Sequence, residues 1–329
     1  MKVAFVGKGG SGKTTCASLF ALRAAATGAP VLALDADINQ NLAVALGATE
    51  SDAAGLPTLP AHLGLIKEWL RGDNPRIPSA DQMIKTTPPG RGSRLLRVVE
   101  DNPVYDAAVR EVVPGVRLGL AGAFEDADLG VACFHAKTGA VELLLNHLVD
   151  GPDEYVVVDM TAGADAFASG LFTRFDLTFL VCEPTRRSVG VYRQYAGYAR
   201  DFGVRLAVVG NKVEDAADAE YLASEVGDDL VGVLGRSAHV RAGDRGAPRD
   251  ITGLESGHVA VLDDLRAAVD AVARTGSATR PTRWRCTDGT PLPGQAPPWP
   301  SRSIRSSCRA PRPSRSEHLL TADCRRPGP

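Results

Sequence analysis

Gly7-Lys8-Gly9-Gly10-Ser11-Gly12-Lys13-Thr14 decides the fold of this chain. Its spacing is a glycine, four residues, then Gly-Lys-Thr, and its surroundings carry as much meaning as its glycines. Residues 2–6 (Lys-Val-Ala-Phe-Val) read as a short apolar strand, and residues 13–26 have the composition of a helix that stops before Gly28. Strand, glycine-rich loop and helix, in that order, aim successive backbone N–H groups at an anion, and the helix N-terminus adds partial positive charge. Gly7, Gly9, Gly10, Ser11 and Gly12 form the cradle. Lys13 is placed to bridge the β and γ phosphates of a nucleotide, Thr14 to offer its hydroxyl to Mg2+, and Thr15 to touch the α phosphate. A turn alone would explain the glycines, but neither the Lys-Thr pair nor its position.

Working outward, further apolar, β-branched runs occur at residues 31–34, 116–120, 155–158, 177–181, 206–209 and 230–234, separated by stretches long enough for helices. Such strands require both faces covered, so the expected fold class is α/β: a doubly wound, mostly parallel sheet with helices on both faces. Residues 55–114 are long, partly irregular and contain Pro88-Pro89-Gly90. They read either as a helical insertion covering the site or as a partner surface. From residue 275 onward the composition changes, with ten Pro and ten Arg in 55 residues. The expected division is therefore a nucleotide-binding domain over residues 1–274 and a Pro/Arg/Ser-rich tail over 275–329 that is expected to be disordered.

The net charge of −2 hides an asymmetry, because the tail carries ten Arg against three acids and the remainder is correspondingly acidic. An acidic domain lacks the basic footprint of sequence-independent nucleic-acid binding, so nucleic acid is an unlikely partner. No apolar run approaches the ~20 residues of a membrane-spanning helix. The chain opens directly on a strand with no leader pattern, which reads as cytoplasmic. Six scattered cysteines do not form a secreted disulfide framework. Cys16 and Cys182 fall in apolar stretches and read as core, while His62, His147, His239 and His258 have no partner at ligand spacing.

Lys8, just after the first glycine, completes Lys-Gly-Gly-Ser-Gly-Lys-Thr, which resembles the deviant Walker A motif. That P-loop ATPase family includes the nitrogenase iron protein, the division-site and plasmid-partition ATPases, the arsenite-pump ATPase and the nickel-insertion ATPases of carbon monoxide dehydrogenase. The resemblance implies an Mg-dependent ATPase that forms a homodimer when ATP is bound, with Lys8 reaching the partner's phosphates. A solvated loop lysine is the alternative.

The same resemblance gives roles to further residues. Asp35-Ala-Asp37 closes the second strand at its carboxyl end, where ligands of such sheets bind. Asp37 would position or activate the attacking water and Asp35 would support the Mg2+ shell, although both acids also suit the cap of a following helix. Residues 155–159 followed by Met-Thr-Ala-Gly resemble a Walker B strand, with Asp159 holding Mg2+ through water and Gly163 offering its N–H to the γ phosphate. Asn211 would contact adenine. Glu214 stands where a guanine-binding acid would, with one methylene too many, and this favours ATP over GTP.

Cys133-Phe134-His135 resembles, in position, the Cys-x-Cys of the nickel-insertion ATPases, with histidine replacing the second thiolate. Two such pairs across a dimer axis would give four ligands suited to Zn2+ or Ni2+. The alternative is a core cysteine beside a helix-capping or exposed histidine. The leading functional expectation is a metallochaperone or a factor that remodels a metalloenzyme client. A partition or positioning switch acting on DNA, membrane or a polar scaffold is a second expectation, and a nucleotide sensor with negligible turnover a third.

Overall fold

A computed structural model describes residues 1–123, 134–163 and 170–276. Of the expected tail, residues 277–329 lie outside the described residues, as does Cys133.

The elements run in chain order: β1 (Lys2–Gly7), α1 (Lys13–Ala26), β2 (Val31–Ala36), α2 (Leu42–Leu46), α3 (Glu50–Ala54), α4 (Leu63–Arg71), β3 (Leu96–Arg97), α5 (Pro103–Ala108), β4 (Val109–Val113) and β5 (Val116–Leu120). They continue with α6 (Phe134–His147), β6 (Leu148–Val149), β7 (Tyr155–Met160), β8 (Leu177–Cys182), α7 (Arg186–Phe202), β9 (Leu206–Val213), α8 (Ala216–Val226), β10 (Leu230–Gly235), α9 (Ala238–Gly243) and α10 (Ser256–Gly276). Eight strands form the main sheet in the order β10-β9-β8-β1-β7-β2-β5-β4. All neighbours pair in parallel except β4 with β5. This is the doubly wound α/β architecture expected from the sequence.

Near-continuous apolar strands are what a sheet covered on both faces demands. β2, β7 and β8 are buried at every position. Alternation divides their side chains between two cores. Val3, Phe5, Ala33, Val157 and Phe179 join Phe20 of α1 and Leu262 and Leu265 of α10. Ala4, Val6, Leu34, Val158 and Leu180 join Ile66 of α4, Val141 and Leu144 of α6 and Tyr195 of α7. In the first core Phe5 stacks within 5.7 Å of Phe20 and 5.2 Å of Phe179, and the edge of Phe20 meets Tyr155 at 5.7 Å. Each such fully buried ring contributes about 1.5–3 kcal/mol.

The sequence expectation needs amending at residues 55–114. The stretch contributes α4, which buries Ile66 and Leu70, but its last part, β4, is an antiparallel edge strand of the main sheet. A run of Val-Arg-Glu-Val-Val carries two adjacent charges and so shows no alternation to read. Arg110 and Glu111 are exposed, a register irregularity falls between Glu111 and Val113, and the Arg110 guanidinium donates to the carbonyls of Asp106 (2.7 Å) and Val109 (2.8 Å).

Candidate nucleotide site

Parallel pairing of β1 with β7 and of β7 with β2 brings three loops to one end of the sheet: 7–13 after β1, 35–37 at the end of β2, and 159–163 at the end of β7. The register sets Asp35 directly beside Asp159. The first of these loops feeds α1. Gly12, the residue before that helix, has φ +96, and a Cβ there would lie 2.2 Å from Asn211 Nδ2, so only glycine fits. α1 begins with no side-chain cap and no acid in its first turn. By contrast α3, α5, α7, α8 and α9 are capped by Thr49, Asn102, Thr185, Asp215 and Ser237. The start of α1 therefore presents uncapped N–H groups, an arrangement that favours an anion.

Lys13 is 6% exposed, and its Nζ lies 3.7 Å from Asp37 Oδ2. Thr14 Oγ1 donates to Asp159 Oδ2 at 2.6 Å, while Asp159 Oδ1 is buried with no hydrogen-bond partner. Burial, and then the neighbouring charge of Asp35, push the Asp159 carboxyl well above the usual carboxylate range. Burial likewise raises Asp35 to about 7, against the lowering pull of backbone N–H bonds from Leu42 (2.9 Å) and Asp37 (3.1 Å). Asp37 Oδ1 accepts both the backbone N–H and the side-chain amide of Asn39, at 2.9 Å each. Gln40, at φ +50, donates to the Asp37 carbonyl and accepts from Gly122 N–H, tying the end of β2 to that of β5.

Ser11 is fully buried, and its hydroxyl has no partner. Gly9 stands against Ala162, since a Cβ on it would meet the alanine Cβ at 3.9 Å. The Thr15 carbonyl accepts Ser18 Oγ at 2.9 Å. The amide of Asn211 donates to the Ser11 carbonyl at 2.7 Å, so this residue braces the loop. Glu214 is exposed and paired with Arg236 at 2.9 Å.

Two residues of the rim escaped sequence reasoning. Glu183, just past β8, receives Lys212 Nζ at 2.7 Å and faces Lys8 Nζ at 3.6 Å. Burial raises its carboxyl, but the two lysines outweigh that and hold it below the ordinary glutamate range. Lys212 adopts φ +59, uncommon for a side chain of its kind, and also donates to the Gly10 carbonyl at 2.6 Å. The signal for Glu183 was its position at the carboxyl end of a parallel strand beside the loop. Nothing in the sequence marks the backbone of Lys212.

The glycine-rich loop, the helix start and the convergent lysine and carboxylates define a P-loop nucleotide-binding protein. Comparison with known proteins makes the assignment narrower. Residues 3–249 match the CobQ/CobB/MinD/ParA nucleotide binding domain, and the chain belongs to that family of ATPases. It is similar to the carbon monoxide dehydrogenase accessory protein CooC of Rhodospirillum rubrum, at 30% identity over 74% of this chain and 87% of that one. Its fold is similar to that of a ParA family ATPase from Chlorobium tepidum TLS (TM-score 0.53, 15% identity, 80% of this chain and 97% of that one). It is also similar to the cell division ATPase MinD of Pyrococcus furiosus (TM-score 0.53, 16% identity, 81% and 98%).

Cys133 lies outside the described residues, and His135, in the first turn of α6, has no described side chain. No group of three or more His, Cys, Asp or Glu side chains gathers into a cation site among the described residues. Cys16 is core, with burial pushing its thiol up to about 12, and His147 is buried with Nδ1 on the Leu143 carbonyl at 3.0 Å. Among the described residues no helix is long and apolar enough to cross a membrane.

Proposed function

We propose that the chain is an ATP-driven switch that closes on a second copy of itself and handles a metal ion, or reshapes a metalloenzyme client, in the manner its similarity to the carbon monoxide dehydrogenase accessory protein suggests. The observation that carries the nucleotide part is the uncapped start of α1 beside buried Lys13.

Mg2+ fits the residues present. The donors are all hard oxygens, and Asp159 holds one buried oxygen unpartnered beside the Thr14 hydroxyl. Thr14 and Asp159 would hold the ion, with Asp35 supporting, and when bound it would neutralise phosphate charge. The chain's own residues do the remainder. Backbone N–H groups of residues 9–15 bind phosphate oxygens and Lys13 spans β and γ phosphates. Gly163 offers an N–H to the γ phosphate, and Asp37 orients the attacking water and takes its proton. Asn211 supports the loop from below and contacts adenine. Catalysis on this plan is positioning and charge neutralisation.

Lys8 supports the dimer. Its Nζ stands at the rim, with its side chain 38% exposed, held by one 3.6 Å contact to Glu183. A lysine held that loosely exchanges its partner for phosphate at small cost. The metal part follows the same logic, since Cys133 and His135 are two donors per chain, and four-coordination requires a second chain. Titration of the Mg-AMPPNP-bound protein with Ni2+ and with Zn2+, on the parent, Cys133→Ser and His135→Ala, tests the cargo. One ion per two chains, lost in both variants, is the expected result. Unchanged stoichiometry in both removes the metallochaperone reading and leaves the ATPase.

A further inference from the structure

Helix α7 touches the site at two places. At its start, Ser188 Oγ accepts the N–H of Glu183, the residue that faces Lys8 and Lys212. Seven residues on, two turns along the same buried face, Tyr195 donates its hydroxyl to the Gly163 carbonyl at 2.6 Å. Gly163 is left-handed at φ +72, and among the described residues a Cβ built on it would meet nothing within 4 Å. The hydrogen bond from Tyr195 is a direct restraint on its carbonyl. The neighbouring Ala162 lies against Gly9 of the phosphate loop.

The ring of Tyr195 is 1% exposed and lines a small apolar cavity with Met160, Phe172, Phe175, Ala199 and Leu206. The ring thus supplies packing and the hydroxyl supplies direction. A buried tyrosine hydroxyl finds some acceptor in most proteins. Here the acceptor is the backbone that follows the Asp159 strand, on the same helix whose first turn secures the rim of Lys8.

We propose that Tyr195 is a positioning residue for phosphoryl transfer, setting the Gly163 backbone against the γ phosphate and linking it through α7 to the Glu183 rim where Lys8 is held. This inference rests on the ATP-hydrolysing reading of the loop.

Tyr195→Phe keeps the ring and removes only the hydroxyl, so the fold is retained and the melting temperature falls by no more than the loss of one hydrogen bond. Steady-state hydrolysis should show kcat lower by about fivefold to tenfold, the ratio expected for one hydrogen bond, with KM for Mg-ATP within about twofold. An unchanged kcat overturns the proposal, as does a loss confined to KM. If the parent binds Mg-ATP without hydrolysing it, the ATPase reading fails, and amide hydrogen exchange with Mg-AMPPNP bound decides this proposal separately. Faster exchange over residues 160–163 in Tyr195→Phe supports it, and identical exchange overturns it.

Discussion

Two clusters of buried charge, on the same molecule, are built in opposite ways. At the carboxyl ends of β1, β2 and β7, Asp35, Asp37 and Asp159 are buried but accept backbone N–H, amide and hydroxyl donors at 2.6–3.1 Å. On α6, Glu142 is equally buried, yet neither of its oxygens has a hydrogen bond, and its two cations, Lys85 and Arg174, approach only to 3.8 Å. In the first cluster Asp35 is oriented by main-chain N–H groups, Asp37 by the backbone and amide of Asn39, and Asp159 by the short hydroxyl of Thr14; in the second, Glu142 is faced by long side chains 39% and 25% exposed. Polarity fixed by backbone is already arranged before a reaction begins and costs little reorganisation during it. Polarity held by flexible arms is a packing compromise, because taking a carboxylate out of water is repaid only with good geometry.

This contrast is open to test. The largest effect belongs to Lys13→Ala, which strands Asp37 and Asp159 without their cation; Mg-ATP binding by calorimetry should weaken at least about a hundredfold. Parent-like affinity would end the assignment of the loop. Asp37→Asn should lower single-turnover hydrolysis by about a hundredfold or more while ATP affinity stays within a few-fold, since the water loses its base and the phosphates keep their contacts. Asp159→Asn should abolish most of the Mg2+ dependence of ATP binding, about tenfold.

The same variant carries a pH signature. A carboxyl raised by burial keeps its proton in the folded chain after the unfolded chain has lost it, so its contribution to stability is fullest in acid and is lost as pH rises; for Asp35 that window runs from about 4 to about 7. For Asp159, shifted in the same direction, the melting temperature of nucleotide-free Asp159→Asn should gain on the parent as pH is raised from about 5 to about 8. A constant difference would place the Asp159 carboxylate in a better solvated setting than the structure shows. The smallest effect is expected at Glu142→Gln, where stability should move by no more than about 1 kcal/mol and nucleotide affinity not at all. A loss several times larger would mean that the α6 cluster is as well organised as the phosphate site.

The contrast also explains what the sequence revealed. Seven strands of the main sheet were legible because their runs are apolar, with both faces buried in the central strands β1, β2, β7 and β8, and the loop because its glycines and Lys-Thr pair stand between a strand and a helix. Asp159 stood out because a carboxylate after an apolar strand needs a partner, whereas Asp35 was singled out by its place at a strand end and by the family resemblance. β4 was hidden because an edge strand with Arg110 and Glu111 has neither alternation nor apolar continuity. The roles of Glu183, Lys212, Tyr195 and Glu142 depend on contacts between residues from 29 to 202 positions apart in the chain, or on a backbone angle, and no local pattern encodes those.

β4 has a consequence for assembly. Where a parallel sheet ends on an unprotected strand, another chain can be recruited by main-chain pairing and the sheet can grow without limit. Here the Arg110 guanidinium folded onto the carbonyls of Asp106 and Val109, the neighbouring Glu111 carboxylate and the slipped register make that border a poor template. Growth of the sheet from this side is disfavoured, so a strand of another chain gains little by main-chain pairing at β4.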